Sequence, residues 1–172
     1  MIRGSAAAEP ARDRELKVAD EVWIATVLLH REHPEAPDFS VEDIVERARR
    51  EGLCKPFRRG VYVHAVQHCV ANRPPNPGRY RMLIETSPGR RRLFRTGDSY
   101  DPQREGAKIT PEHDEMPQGY AGLLSWYSDW SAAGANDLLN NDPLLALRGS
   151  GKRLWANEHA DDYVRRLREA WE

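Results

Sequence analysis

The sequence predicts a mainly α-helical chain with one small β-hairpin, an α+β arrangement around a single modest core. Three observations carry this. Apolar residues recur every three or four positions in several separate stretches. The strand signals are two short basic runs on either side of Ser87-Pro88-Gly89. At 172 residues and 40% hydrophobic content, the chain fills one core but hardly two.

Residues 1–12, rich in alanine and charge, are expected to form a disordered leader. From Glu15 to Glu32 the positions Val18, Val22, Ala25 and Leu29 mark a first amphipathic helix, widened by Trp23, Ile24 and Leu28. Pro34 and Pro37 end it. Ser40 then stands as an N-cap with Asp43 three residues on, and Phe39 and Ile44 occupy the two positions of a hydrophobic staple. A second helix is expected from Val41 to about Glu51, stopped by Gly52. A third follows Pro56, with Tyr62, Val63, Val66 and Val70 as its apolar stripe, and must stop before Arg73-Pro74-Pro75. Strands are expected over Tyr80–Thr86 and Arg90–Thr96. Three helices followed by a hairpin is the order of a winged helix-turn-helix, here residues 13–97.

Residues 98–133 read as a loop broken by Pro102, Gly106, Pro111 and Pro117, then a helix marked by Tyr120, Leu123, Leu124, Tyr127 and Trp130. That stripe either covers the domain core or forms a homodimer seam. Residues 134–143, with Asn136, Asn140 and Asn141, are expected to be a linker. A helical tail, residues 144–172, places Tyr163, Val164, Leu167 and Trp171 on one face.

Charge is divided unevenly along the chain. Between Arg47 and Arg95 lie thirteen cations against Glu51 and Glu85, a net +11, whereas the rest has thirteen cations against 25 acids, a net −12. A basic middle suits a polyanion, unless the arginines merely solvate a surface or meet the chain's own acidic flanks. Nearly all are arginine, the residue suited to bidentate phosphate or base contacts. The expected partner is double-stranded DNA. On the third helix Arg58, Arg59, His64, Gln67 and His68 are the candidate groove contacts, and on the wing Arg90, Arg91, Arg92 and Arg95 are the candidate backbone contacts.

Two resemblances add to this. The stretch Cys69-Val70-Ala71-Asn72-Arg73-Pro74-Pro75-Asn76-Pro77-Gly78-Arg79-Tyr80-Arg81-Met82-Leu83, with Arg91-Arg92-Leu93-Phe94-Arg95-Thr96-Gly97-Asp98 and the segment from Gly106 through Tyr127, resembles a family of uncharacterised bacterial winged-helix-like proteins over residues 15–130. That likeness implies architecture and no activity. The tail, Asp142-Pro143-Leu144-Leu145-Ala146-Leu147-Arg148-Gly149-Ser150-Gly151-Lys152 with Asp162-Tyr163-Val164-Arg165-Arg166-Leu167-Arg168-Glu169, resembles the C-terminal segment of bacterial antitoxins that neutralise small ribonuclease toxins. The likeness implies a DNA-binding repressor whose tail wraps a toxin. Trp155, Tyr163, Leu167 and Trp171 would then anchor it, with Arg165 or Arg168 reaching acidic toxin residues. The chain departs from the commonest antitoxins in lacking their small N-terminal dimerisation motif. The alternative is a tail that folds back on its own domain.

Other chemistry finds little support. Gly149-Ser150-Gly151-Lys152 lacks the spacing of a phosphate loop and is followed by Arg153. His64, His68 and Cys69 would bind zinc only if Cys54 joined them. Glu112, His113, Asp114 and Glu115 lack the ligand order of a calcium loop. No catalytic signature is present, so neither an enzyme nor a cofactor is expected. No apolar run approaches the roughly 20 residues of a membrane span. Residues 1–14 hold no apolar stretch of signal-peptide length, and Cys54 and Cys69 are too few for a disulfide framework, so the expected location is cytoplasmic. The expected function is a DNA-binding transcriptional regulator of the antitoxin type. The alternative is a protein-interaction module whose winged helix does not bind DNA.

Overall fold

The computed structural model describes residues 16–140, together with Arg165, Arg166, Arg168 and Glu169. The chain divides into two compact units, residues 1–131 and 132–172. In the first, helix α1 (Val18–Glu32) leads to a two-residue strand β1 (Phe39–Ser40) and helix α2 (Val41–Glu51). Helix α3 (Gly60–Val63) continues directly as a wider π-helical turn (His64–His68), and the hairpin β2 (Leu83–Ser87) and β3 (Arg90–Leu93) follows. Short 3₁₀ turns at Pro102–Arg104 and His113–Glu115 precede helix α4 (Gly122–Asn140). The three strands form one antiparallel sheet in the order β1-β3-β2.

Helix α2 follows its local signals. The Ser40 hydroxyl accepts from the Asp43 amide at 3.0 Å while the Asp43 carboxylate accepts from the Ser40 amide at 3.1 Å, closing the capping box. Gly52 ends the helix in the left-handed conformation, φ 66°, where a side chain would be strained. Gly89, φ 76°, serves the tight turn between β2 and β3 in the same way.

The other elements correct the expectations in instructive ways. Phe39 and Ser40, expected only as staple and cap, also pair with Arg91 and Arg90 of β3 and so extend the hairpin to three strands. Helix α1 is buried on nearly all sides, because α2, α3, β3 and α4 surround it; even Asp20 and Glu21 are enclosed. Their carboxylates are met by Lys108 at 3.2 Å and Arg58 at 2.8 Å. An unpaired buried charge would be far more costly. The hairpin strands are shorter than expected, and Met82, Leu83 and Ile84 are all buried in place of a clean alternation. Both faces of the sheet are covered: Leu83 and Leu93 join the main core, while Ile84 packs with Ala71 and Phe94.

Leu123 and Tyr127 of α4 close the core. Tyr127 lies edge-on to Trp23 with ring centroids 5.6 Å apart and donates its hydroxyl to the Phe94 carbonyl at 2.5 Å. The α4 backbone stays helical through Gly134 to Asn140, within the stretch expected to be a linker.

Candidate nucleic-acid interface

Helix α3 and its π extension divide their residues between core and surface differently from the expected stripe. Val61, Ala65 and Cys69 are fully buried, whereas Tyr62 is 51% and Val63 45% exposed. Nearly every position from Val61 to Val66 is apolar or ambiguous, so periodicity alone assigns no face. The small side chains of Ala65 and Cys69 let the helix approach α1 closely, and this selects the buried side. Arg59 at the N-cap, Tyr62, Val63 and Val66 fall at i, i+3, i+4 and i+7, one face of the helix. Arg59, Tyr62 and Val63 on that face are exposed; Val66 is half-buried.

At the opposite end the chain has spent its arginines internally. The carbonyls of Ala65, Val66, Gln67 and His68 are those that a helix end leaves without an intrahelical donor. Arg91 donates to Ala65 at 3.2 Å and to Val66 at 3.3 Å, and Arg73 also reaches Val66 at 3.3 Å. Arg104 donates to Gln67 at 3.0 Å and to His68 at 2.8 Å. Its three further bonds go to the carbonyls of Arg73, Tyr80 and Pro74 at 2.6, 2.6 and 3.3 Å. Five guanidinium N–H bonds thus meet five backbone oxygens, on a side chain with no exposure at all. Cationic groups at a helix C-terminus are also favoured by the helix dipole. Burial pushes the Arg91 and Arg104 pKa values below the ordinary arginine position. Glu85 balances the cluster, holding Arg73 through two bonds of 2.6 Å and Arg91 at 3.1 Å, and Arg73 beside it draws its own pKa down.

The remaining arginines of β3 and the segment after it are engaged as well. Arg90 reaches Asp38 at 2.5 Å, and Arg92 grips Asp98 through two bonds of 2.7 Å. Arg95 stacks over the Trp130 ring, 4.0 Å from its centroid, while its amide donates to Asp98. Of the expected groove contacts, Arg58 is turned back onto Glu21, the Gln67 amide donates to the Pro74 carbonyl at 2.8 Å, and His64 Nδ1 lies 2.9 Å from the Gly60 carbonyl. His68 packs so closely against Gly78 that a Cβ there would lie 2.6 Å from its own Cβ. Arg59 alone of the nine expected DNA contacts is exposed with no ion pair to another described residue. Arg50, in the last turn of α2, and Lys55, on the α2–α3 connection, share that condition.

Of the exposed cations in the basic middle that pair with no described acid, Arg59 shares the helix face of Tyr62 and Val63, while Arg79 reaches only the Gln103 carbonyl. A surface of this kind offers cations for a polyanion together with an apolar patch that water covers poorly. Arg104, the most heavily bonded side chain described, was hidden in a stretch read as loop; its only sequence signal is an arginine between Pro102 and Gly106. In the tail, Trp155, Tyr163, Leu167 and Trp171 lie outside the described residues, while Arg165 and Arg168 are exposed on helix.

No group of three metal ligands occurs among the described residues. Cys69 is enclosed and its thiol pKa is pushed up by burial. None of the described helices is long and apolar enough to cross a membrane. No protein-family model matches the chain, and no curated protein or solved structure matches it.

Proposed function

We propose that the chain is a DNA-binding transcriptional regulator of the antitoxin type, a winged helix-turn-helix joined to a tail that holds a small toxin protein. The observation that carries this is the order α1-β1-α2-α3-β2-β3 with the sheet arranged β1-β3-β2, which leaves α3 with an outward face. In a winged helix that face enters the major groove. The support is strengthened by Arg59 at its start and by Lys55 and Arg50 just before it in the chain, all exposed and in no ion pair with a described residue. The tail assignment rests on its resemblance to antitoxin C-termini. The test is selection from a random duplex pool by the full chain, followed by titration at several salt concentrations. Sequence-selective, salt-dependent binding is expected, because each neutralised phosphate releases counterions. Failure to enrich any sequence, with no binding at low salt, overturns it.

A protein-interaction module is the second reading. It is favoured by the exposed Tyr62 and Val63 and by the wing arginines' internal bonds. A chain truncated after Asn140 separates the two, since the regulator keeps its duplex affinity while losing its toxin partner.

A further inference from the structure

We infer that α3 recognises thymine through its methyl group, with Val63 as the reading side chain and Tyr62 packed beside it; this rests on the DNA-binding reading above. Val63 is 45% exposed and has no hydrogen-bonding group, and Tyr62 offers only one hydroxyl. Neither can make the bidentate contacts that distinguish guanine or adenine. The major-groove edge of a standard base pair carries one apolar feature, the thymine C5-methyl. Three of the five side chains expected to supply polar base contacts are withdrawn, Gln67 onto Pro74, Arg58 onto Glu21 and His64 against Gly60, while Arg59 at the helix start stays exposed.

Charge complementarity identifies a nucleic acid as the occupant of this apolar face. Arg59 lies on the face itself, Lys55 is exposed on the connection that leads into α3, and Arg50 is exposed in the last turn of α2. An apolar protein partner would gain nothing from three such cations, whereas a duplex supplies phosphates along both groove walls. The phosphate contacts position the helix and the apolar pair then reads the base edge.

The experiment uses the full chain and the duplex recovered by selection. Each thymine is replaced in turn by deoxyuridine, which removes the methyl and leaves the hydrogen-bonding edge intact. At one thymine per half-site, affinity is expected to fall about fourfold, the worth of burying one methyl group. Val63→Ala should weaken binding to the thymine duplex by a similar factor and abolish its preference over deoxyuridine. Its thermal midpoint should stay near that of the parent chain, because the residue is half-exposed. If every deoxyuridine duplex binds as well as its parent, or if Val63→Ala keeps the full preference, methyl recognition is overturned while DNA binding stands. If no duplex is enriched at all, both inferences fall and the apolar face belongs to a protein partner.

Discussion

The two ends of the third helix treat arginine in opposite ways. At the C-terminal end Arg73, Arg91 and Arg104 are folded inward, and their N–H groups satisfy carbonyls that the helix itself leaves open. At the N-terminal end Arg59 stands in solvent beside two exposed apolar side chains. Each of these arginines counts alike in a sum of charges along the chain. Those turned inward are held by backbone oxygens and Glu85, so a net charge of +11 over residues 47–95 overstates the cations that a polyanion can touch.

The comparison breaks most visibly at Arg104. Arg104→Ala removes five hydrogen bonds and leaves the Arg73 and Tyr80 carbonyls with no other donor among the described residues, and a loss of about 3–5 kcal/mol in unfolding free energy is expected by urea titration. Arg104→Lys should restore little of it, since an ammonium has three donors and cannot span the same fork. Arg59→Ala, by contrast, should leave the urea midpoint unchanged and lower duplex affinity.

Acid sharpens the comparison next. His30 is buried between Phe39 and Trp130, and its Nε2 accepts from the Leu93 amide at 3.4 Å. Burial, aided by Arg95 and Arg92, lowers its pKa from the ordinary 6.5 to about 4. The unfolded chain therefore takes up the proton first as pH falls. The stabilisation is complete above pH 6.5 and is lost on the way down to about 4, on the order of 3 kcal/mol in all. Urea titrations at pH 7 and pH 4.5 should show this drop, and His30→Gln should make it shallower. Arg90→Ala is expected to cost less than the Arg104 substitution or the acid titration of His30. Arg90 is 45% exposed in its pair with Asp38, and such a surface pair contributes at most about 1 kcal/mol.

What could be read from the sequence follows the range of the interactions involved. Helix α2 was legible to the residue because the signals for both of its ends, Ser40 and Asp43 at the start and Gly52 at the stop, are local to the segment itself. Strand β1 was not, since two residues have no period and their partners, Arg90 and Arg91, lie about fifty positions later. The β3 arginines are visible as charge, but the acids that occupy them, Asp38, Glu85 and Asp98, are joined to them only by folding. On α3 the signal failed for a different reason. Consecutive apolar positions make several faces equally hydrophobic, and the choice fell to the small side chains of Ala65 and Cys69, which a count of hydrophobic residues undervalues.

The central claim is that the cations available to DNA are those from the last turn of α2 to the start of α3, and the salt dependence of duplex binding tests it most directly. Each phosphate contact contributes about 0.9 to the slope of log affinity against log salt. The triple variant Arg50→Ala, Lys55→Ala, Arg59→Ala should therefore flatten the slope by about 2 to 3, while the double variant Arg90→Ala, Arg92→Ala leaves it where it was. A slope untouched by the triple variant, or one flattened by the wing variant instead, would contradict the account.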